Sequence, residues 1–216
     1  MRYLLVEGIT DVSLVRYICQ SEFSINFSDF KQLKPKNPEK NKINTYEYEN
    51  FSIIDLKGKD NLPYVLKIII SPALEEVEKI GIIQDADDNF DDSKEFIQTA
   101  IKNSKIPSEK IQYFLTPNNK DKGDLETLLL STIANDNEIM GCFNDYKTCL
   151  EDKNTIHPKA LNKGQVHAYT MYSQKGRNLH KPQDSFIHNN IDTKLWDLGH
   201  ENFKPIIVFV LSTFKD

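Results

Sequence analysis

Two short stretches, LLVEG at residues 4–8 and IIQDAD at residues 82–87, decide how this chain is expected to fold. Each is a hydrophobic run that stops at a carboxylate, which is how a buried parallel strand delivers a charged side chain to the edge of a sheet. Because side chains alternate along an extended chain, Asp85 and Asp87 are expected on one face, roughly 6–7 Å apart. The two stretches therefore predict an α/β sheet whose edge carries carboxylates suited to a divalent cation.

Outward from these stretches, strand and helix patterns alternate through the first half of the chain. Apolar runs predict four strands, at residues 2–6, 51–56, 80–84 and 111–115. A connecting helix is expected at about residues 63–72, where the proline at 72 would end it. Another is expected at about residues 93–103, with Asp91 and Asp92 as its capping residues.

Residues 29–50 interrupt this alternation. The segment contains five lysines and two prolines, together with several asparagines. Such a composition is typical of segments that bury little apolar surface. It predicts a long loop or a partly disordered insertion.

The pattern changes again after Asp124, where apolar residues recur at helical spacing. The change predicts a boundary near residue 120, with an α/β metal-binding domain at residues 1–120 and a mainly helical extension at residues 121–216. Further helix-like segments lie at residues 165–173, 187–198 and 206–214. The apolar run at the start of the last segment fits a strand equally well.

Composition narrows the class of protein. No uncharged hydrophobic run approaches the roughly 20 residues that a membrane crossing needs, and the first apolar run meets Glu7 too soon for a signal peptide. A cytoplasmic protein is therefore expected.

The net charge of −5 does not resemble that of a general nucleic-acid binder, but five lysines and one arginine within residues 153–190 predict a local basic surface. The three cysteines lack CxxC spacing, which predicts reduced thiols and no zinc site.

Three motifs in the chain resemble those of the Toprim domain, a metal-binding module of topoisomerases, primases and several nucleases. VEGITD at residues 6–11 and DAD at residues 85–87 carry the resemblance over roughly residues 2–116, and GDLE at residues 123–126 adds to it. Within that superfamily the chain is most similar to small Toprim-like proteins of unassigned function and to the nuclease domain of overcoming-lysogenization-defect proteins. The resemblance implies a Rossmann-like parallel sheet of about four strands, flanked by helices.

The resemblance also implies a role for each matching acidic residue. Glu7 would bind the metal or act as general acid or base, while Asp85 and Asp87 would hold the metal. Asp11 ends the first motif, and Glu126 matches the later acidic ligand of the nuclease branch. The expected cofactor is Mg²⁺ or Mn²⁺, because hard cations select carboxylate oxygens. The competing interpretation is that these residues are solvated edge residues or helix caps.

A basic residue from the C-terminal part assists the metal site in the nuclease branch. Lys163 is the candidate for that role in this chain, and Arg177 is the second candidate. Lys57 and Lys59, on either side of Gly58, are candidates for the same edge of the sheet. The competing interpretation of Lys163 is a solvated surface lysine.

Two functions from different classes follow from the resemblance. One is a divalent-metal-dependent nuclease acting on the phosphodiester bonds of DNA or RNA. The other is a non-catalytic Toprim-like subunit that binds metal or nucleic acid beside a partner ATPase, which would be a separate chain because no phosphate-loop motif is present here.

Other phosphate-handling classes fit the motifs less well. A haloacid-dehalogenase-type phosphatase or a nucleotide-sugar transferase leaves Glu7 unexplained, and Asn89 stands where the phosphatase motif has Thr or Val. Topoisomerases and primases need further domains for which the chain has no room, and the ribosomal-RNA-maturing branch carries a longer second motif. These activities are disfavoured.

Overall fold

The chain folds around a six-stranded sheet in the computed structural model, which describes residues 1–33, 43–133, 138–151, 158–172 and 195–215. The strands are β1 (Arg2–Val6), β2 (Lys31–Leu33), β3 (Asn44–Tyr48), β4 (Phe51–Asp55), β5 (Lys79–Asp85) and β6 (Ile111–Thr116). Their order across the sheet is β2-β3-β4-β1-β5-β6.

The four strands β4, β1, β5 and β6 run parallel to one another, which confirms the predicted α/β class. Their apolar runs are buried because helices cover both faces of the sheet. All five residues of β4 are buried, for example, and so are the last three of β1. In the register of the sheet, Val6 pairs with Ile83. The carboxyl ends of β1 and β5 therefore lie side by side.

Two further strands come from residues 29–50, so the prediction of a loop there is wrong for the described part. β2 pairs with β3, and β3 with β4, both antiparallel. β3 has no apolar run that could have indicated a strand, since only Tyr46 is buried within it. A two-residue turn of Glu49 and Asn50, with Glu49 at φ 50°, closes the β3–β4 hairpin. Lysine on an edge strand such as β2 is ordinary, because it discourages pairing with another chain.

Helices connect the strands and cover the sheet. In the described ranges they are α1 (Ile9–Phe23), α2 (Leu62–Tyr64), α3 (Phe90–Ser104), α4 (Leu125–Leu130), α5 (Glu138–Glu151), α6 (Pro158–Tyr172) and α7 (Lys204–Phe214). α7 shows that the apolar run near residues 206–211 is helical, whereas most of residues 187–198 lies outside the described ranges. None of the described helices is long and apolar enough to cross a membrane.

Two helix boundaries differ from the prediction. α2 continues through a π-helical segment, Val65–Ile70, into a 3₁₀ segment, Ser71–Glu76, so Pro72 begins a helical turn instead of ending one. Asn89, rather than Asp91 or Asp92, caps α3. Its side-chain oxygen accepts hydrogen bonds from the N–H groups of both aspartates, which occupy the first turn.

The C-terminal helix α7 shares a core with the sheet. Phe209 and Val210 of α7 belong to the same buried cluster as Leu4 of β1. α7 approaches closely at Gly81 of β5, where a Cβ atom would lie 2.6 Å from the Thr213 hydroxyl. The parts of the chain before and after the boundary predicted near residue 120 therefore contribute to one core, while α2 and α3 cover the other face of the sheet.

Candidate functional site

β1 and β5 deliver acidic residues to the same edge of the sheet. Glu7 directly follows β1, and Asp85 is the last residue of β5. The backbone N–H of Asp85 donates to Oε2 of Glu7 across 3.4 Å. Asp87 follows with φ at 51°, and its carbonyl accepts a 2.8 Å hydrogen bond from the N–H of Gly123. The two motifs that lie about eighty residues apart in sequence thus meet at one edge.

Asp85 is held by contacts from three other elements. Its Oδ1 accepts hydrogen bonds from the Thr116 hydroxyl at the end of β6, at 2.8 Å, and from the Leu125 N–H at the start of α4, at 3.0 Å. Its Oδ2 lies 3.3 Å from the Lys159 ammonium of α6. Burial raises the pKa of Asp85, and the contacts with Lys159 and Thr116 offset only part of that rise. The carboxylate therefore fixes α4 and α6 against the sheet at a cost in desolvation.

Glu7 has a strongly perturbed carboxyl group. Burial, followed by the repulsion of the Asp85 carboxylate, raises the pKa of Glu7 from 4.5 to about 7. The hydrogen bond from the Asp85 N–H acts in the opposite direction but is outweighed. A carboxyl group in this range exchanges its proton near neutral pH, which suits a general acid or base.

Asp11 has a structural task in addition to its place near the site. Its Oδ2 accepts a 3.0 Å hydrogen bond from the N–H of Gly8, the residue that precedes α1. This is the helix-capping role that the sequence left open. Burial raises the pKa of Asp11 well above its ordinary value, and the carboxylates of Asp85, Glu7 and Glu126 raise it further. Asp11 therefore belongs electrostatically to the same acidic cluster.

Glu126 lies in the first turn of α4, whose N-cap is Asp124. Burial, followed by the carboxylates of Asp124 and Asp85, raises the pKa of Glu126 to about 6, while the Lys163 ammonium acts in the opposite direction. An acidic residue in a first turn is common because the helix dipole favours it. Glu126 also interacts electrostatically with Asp85 and Lys163, which connects it to the carboxylates at the edge of the sheet.

One cavity of about 410 Å³ brings these side chains together. Five residues predicted for the site line it: Glu7, Asp11, Asp85, Glu126 and Lys163. Asp87, the sixth, does not line the cavity, although it lies only two residues after Asp85. The second basic candidate, Arg177, falls outside the described residues.

The two lysines beside Gly58 also reach this edge. Lys57 lines the cavity, and its ammonium lies 2.5 Å from Oδ2 of the buried Asp55 at the end of β4. Lys59 forms an ion pair with Asp87, at 2.5 Å from Oδ2. These two contacts extend the charged edge across β4, β1 and β5.

Lys159 is the site residue that the sequence interpretation missed. It is the second residue of α6, and its ammonium contacts Oδ1 of Asp87 as well as Oδ2 of Asp85. Burial raises the pKa of Asp87, but the hydrogen bonds from Lys159 and Lys59 outweigh this, and the net pKa is lowered. The available signal was the four-residue spacing of Lys159 and Lys163, which places both on one face of a helix.

The acidic cluster does not form a ready-made ligand set. Over the described ranges, no group of three or more His, Cys, Asp or Glu side chains is placed to hold a metal ion. The contacts give a physical reason. Asp85 directs its oxygens at Thr116, the Leu125 N–H and Lys159, and both oxygens of Asp87 contact ammonium groups.

Comparisons with known proteins bear on the family and the fold. The model of a family described as "Protein of unknown function (DUF3226)" matches residues 1–215. A crystal structure of the hypothetical protein PH0156 from Pyrococcus horikoshii OT3 is similar over 97% of this chain and 98% of that chain, with a TM-score of 0.56 and 20% sequence identity. This likeness concerns the fold alone. A comparison with curated proteins gave no match.

Proposed function

The chain belongs to the DUF3226 family, and from the geometry of its cavity we propose that it is a divalent-metal-dependent nuclease, which hydrolyses phosphodiester bonds of nucleic acid. The observation that carries the proposal is the convergence of four carboxyl groups and two lysines on a single cavity. The cavity lies at the carboxyl edge of a parallel sheet, where α/β proteins bind ligands. The order of the motifs, which resembles that of Toprim nucleases, supports the same conclusion.

The donor atoms around the cavity suit Mg²⁺ or Mn²⁺. Hard divalent cations select carboxylate oxygens. Burial and mutual repulsion raise the pKa of Glu7, Asp11 and Glu126, so their negative charge lacks sufficient counter-charge. Two carboxylates 4 Å apart repel by about 4 kcal/mol at an effective dielectric constant of 20, and a divalent cation would offset such repulsion. The proposed ligands are Glu7, Asp11, Asp85, Asp87 and Glu126.

The chemistry of cleavage divides between the cation and the chain. A bound cation would neutralise a phosphate oxygen and activate a water molecule. Glu7 either joins the ligands or takes the proton of the attacking water, a task that its raised pKa favours. Lys163, which lines the same cavity, supplies positive charge for the phosphate.

Cleavage of nucleic acid by the purified protein tests this function. With Mn²⁺ or Mg²⁺ the protein should nick plasmid or degrade single-stranded nucleic acid, and Glu7→Gln should abolish the reaction because the amide keeps the shape but loses basicity. Lys163→Ala should lower the rate more mildly. Glu22→Gln is the matched control, because it removes one negative charge from an exposed residue at the far end of α1. Activity that persists undiminished in Glu7→Gln would reject the proposal.

The second candidate is a non-catalytic subunit that binds metal or nucleic acid beside a partner ATPase. The engagement of both Asp87 oxygens by lysines favours it, since those ion pairs stabilise the edge without a metal ion. The same assay separates the two functions. Metal binding by calorimetry, without cleavage of duplex or single-stranded DNA and RNA, would support the subunit and contradict the nuclease.

A further inference from the structure

Lys159 places a positive charge between the two aspartates of the DAD motif. Its ammonium lies 3.3 Å from Oδ2 of Asp85 and in direct contact with Oδ1 of Asp87. Lys59 contacts the other oxygen of Asp87. Three of the four carboxylate oxygens of Asp85 and Asp87 are therefore already paired with ammonium groups of the chain.

We infer that Lys159 is a built-in competitor of the divalent cation, so that a metal ion engages Asp85 and Asp87 only after the lysine ammonium has left them. This inference rests on the metal site proposed above and concerns its regulation. An ammonium and a dication compete for the same oxygens, because two positive charges at contact distance repel each other. Competition also accounts for the absence of a preformed ligand set over the described ranges.

The position of Lys159 allows this exchange without unfolding. The lysine is the second residue of α6, its side chain is 27% exposed, and its long stem can turn toward water while the helix stays in place. Asp85 keeps its hydrogen bonds to Thr116 and the Leu125 N–H when the lysine leaves, because those bonds involve the other oxygen. The chain therefore holds a closed, lysine-paired state and an open, metal-binding state of one site.

Calorimetric titration with Mg²⁺ distinguishes Lys159 from a lysine outside the site. Lys159→Gln removes the competitor and should tighten Mg²⁺ binding by about tenfold or more, which corresponds to about 1.4 kcal/mol. Lys102→Gln removes the same charge from the exposed last turn of α3. Lys102 does not line the cavity, and none of the described contacts joins it to either aspartate, so its effect should stay within about threefold. Equal gains in the two variants would reduce the effect to general electrostatics and overturn the inference.

The same titration separates this inference from the metal site itself. Binding in Lys159→Gln but not in the unaltered protein would support strong competition. No binding in either protein would remove the metal site and the inference together. Equal affinity of the two proteins would leave the metal site intact and refute the competition alone.

Amine labelling of the unaltered protein tests whether Mg²⁺ displaces the Lys159 ammonium from the aspartates, and it does not depend on the folding of a variant. The reactivity of Lys159 toward acetic anhydride, measured by peptide mass spectrometry, should rise when Mg²⁺ saturates the protein. Lys147 of α5, whose ammonium donates a hydrogen bond to the Asn162 side chain, serves as the internal reference. Unchanged or lowered labelling of Lys159 at saturating Mg²⁺ would show that the ion pair persists in the metal-bound state, and the inference would fall.

Discussion

Replacing Glu7 by glutamine should stabilise the metal-free protein, and the gain should depend on pH. The folded structure raises the pKa of Glu7 from 4.5 to about 7, mainly through burial and the Asp85 carboxylate. A raised carboxyl pKa means that the folded state binds the proton more tightly than the unfolded state does. Stability is therefore lost as the pH rises from about 4.5 through 7, and the full cost is present above that range.

The cost follows from the linkage between proton binding and folding. At about 1.4 kcal/mol per unit of pKa, ionisation of Glu7 lowers the free energy of unfolding by about 3 kcal/mol at pH 8, but by only about 1 kcal/mol at pH 5. Glutamine resembles the protonated form and can still accept the hydrogen bond from the Asp85 N–H. Glu7→Gln should therefore raise the melting temperature by about 6–12 °C at pH 8, and by about 2–4 °C at pH 5.

Melting curves recorded in a chelator at the two pH values measure this difference. Glu22→Gln, exposed on the last turn of α1, controls for the loss of one negative charge and should shift the melting temperature little at either pH. A decrease in the stability of Glu7→Gln at pH 8, or equal shifts in melting temperature at pH 5 and pH 8, would show that the folded structure does not raise the pKa of Glu7. The electrostatic picture of the cavity would then be wrong.

Two further predictions concern the metal and the core. Mg²⁺ at ten times its dissociation constant should add about 1.4 kcal/mol to the free energy of unfolding, which corresponds to a rise in melting temperature of about 3–5 °C. The double variant Asp85→Asn/Asp87→Asn should lose this rise. An undiminished rise in the double variant would place the metal elsewhere. Gly81→Ala should cost about 1–3 kcal/mol because its Cβ would lie 2.6 Å from the Thr213 hydroxyl and 2.7 Å from Leu4. The control Gly141→Ala has no atom within 4 Å of its Cβ, and denaturant titrations in which Gly81→Ala is no less stable than this control would contradict the close packing of α7 on β5.

The parallel part of the sheet was predictable because its signal is local. β1, β4, β5 and β6 are mostly apolar and end at or directly before a polar residue, and each was expected within one or two residues of its observed bounds. β2 and β3 were missed because their stability does not come from their own composition. β3 buries one large side chain, Tyr46, and pairs with the neighbouring β4 along its whole length.

The candidate site divides in the same way. Glu7 and Asp85 were predictable because each ends a buried strand, and adjacent parallel strands end at one edge. The spacing of Lys159 and Lys163 indicates a shared helix face, but which lysine reaches Asp85 and Asp87 depends on how α6 packs against α4, and no local pattern in the sequence sets that packing. The prediction named Lys163, with Arg177 as second candidate, and missed the lysine that pairs with Asp85 and Asp87.

Backbone strain points to the same edge as the charges do. Six non-glycine residues in the described ranges have positive φ, and four of them lie at helix ends, in the β3–β4 turn or in the loop after β6: Ser24, Glu49, Lys105 and Asn119. The other two are Lys57 and Asp87, at φ 59° and 51°, on the loops that border the acidic cluster. Left-handed backbone costs a residue with a side chain of order 1 kcal/mol, and at Asp87 the hydrogen bond from Gly123 holds it in place. The fold thus accepts backbone strain and carboxylate repulsion at one edge of the sheet, and because neither feature helps the protein to fold, their coincidence there favours a functional origin.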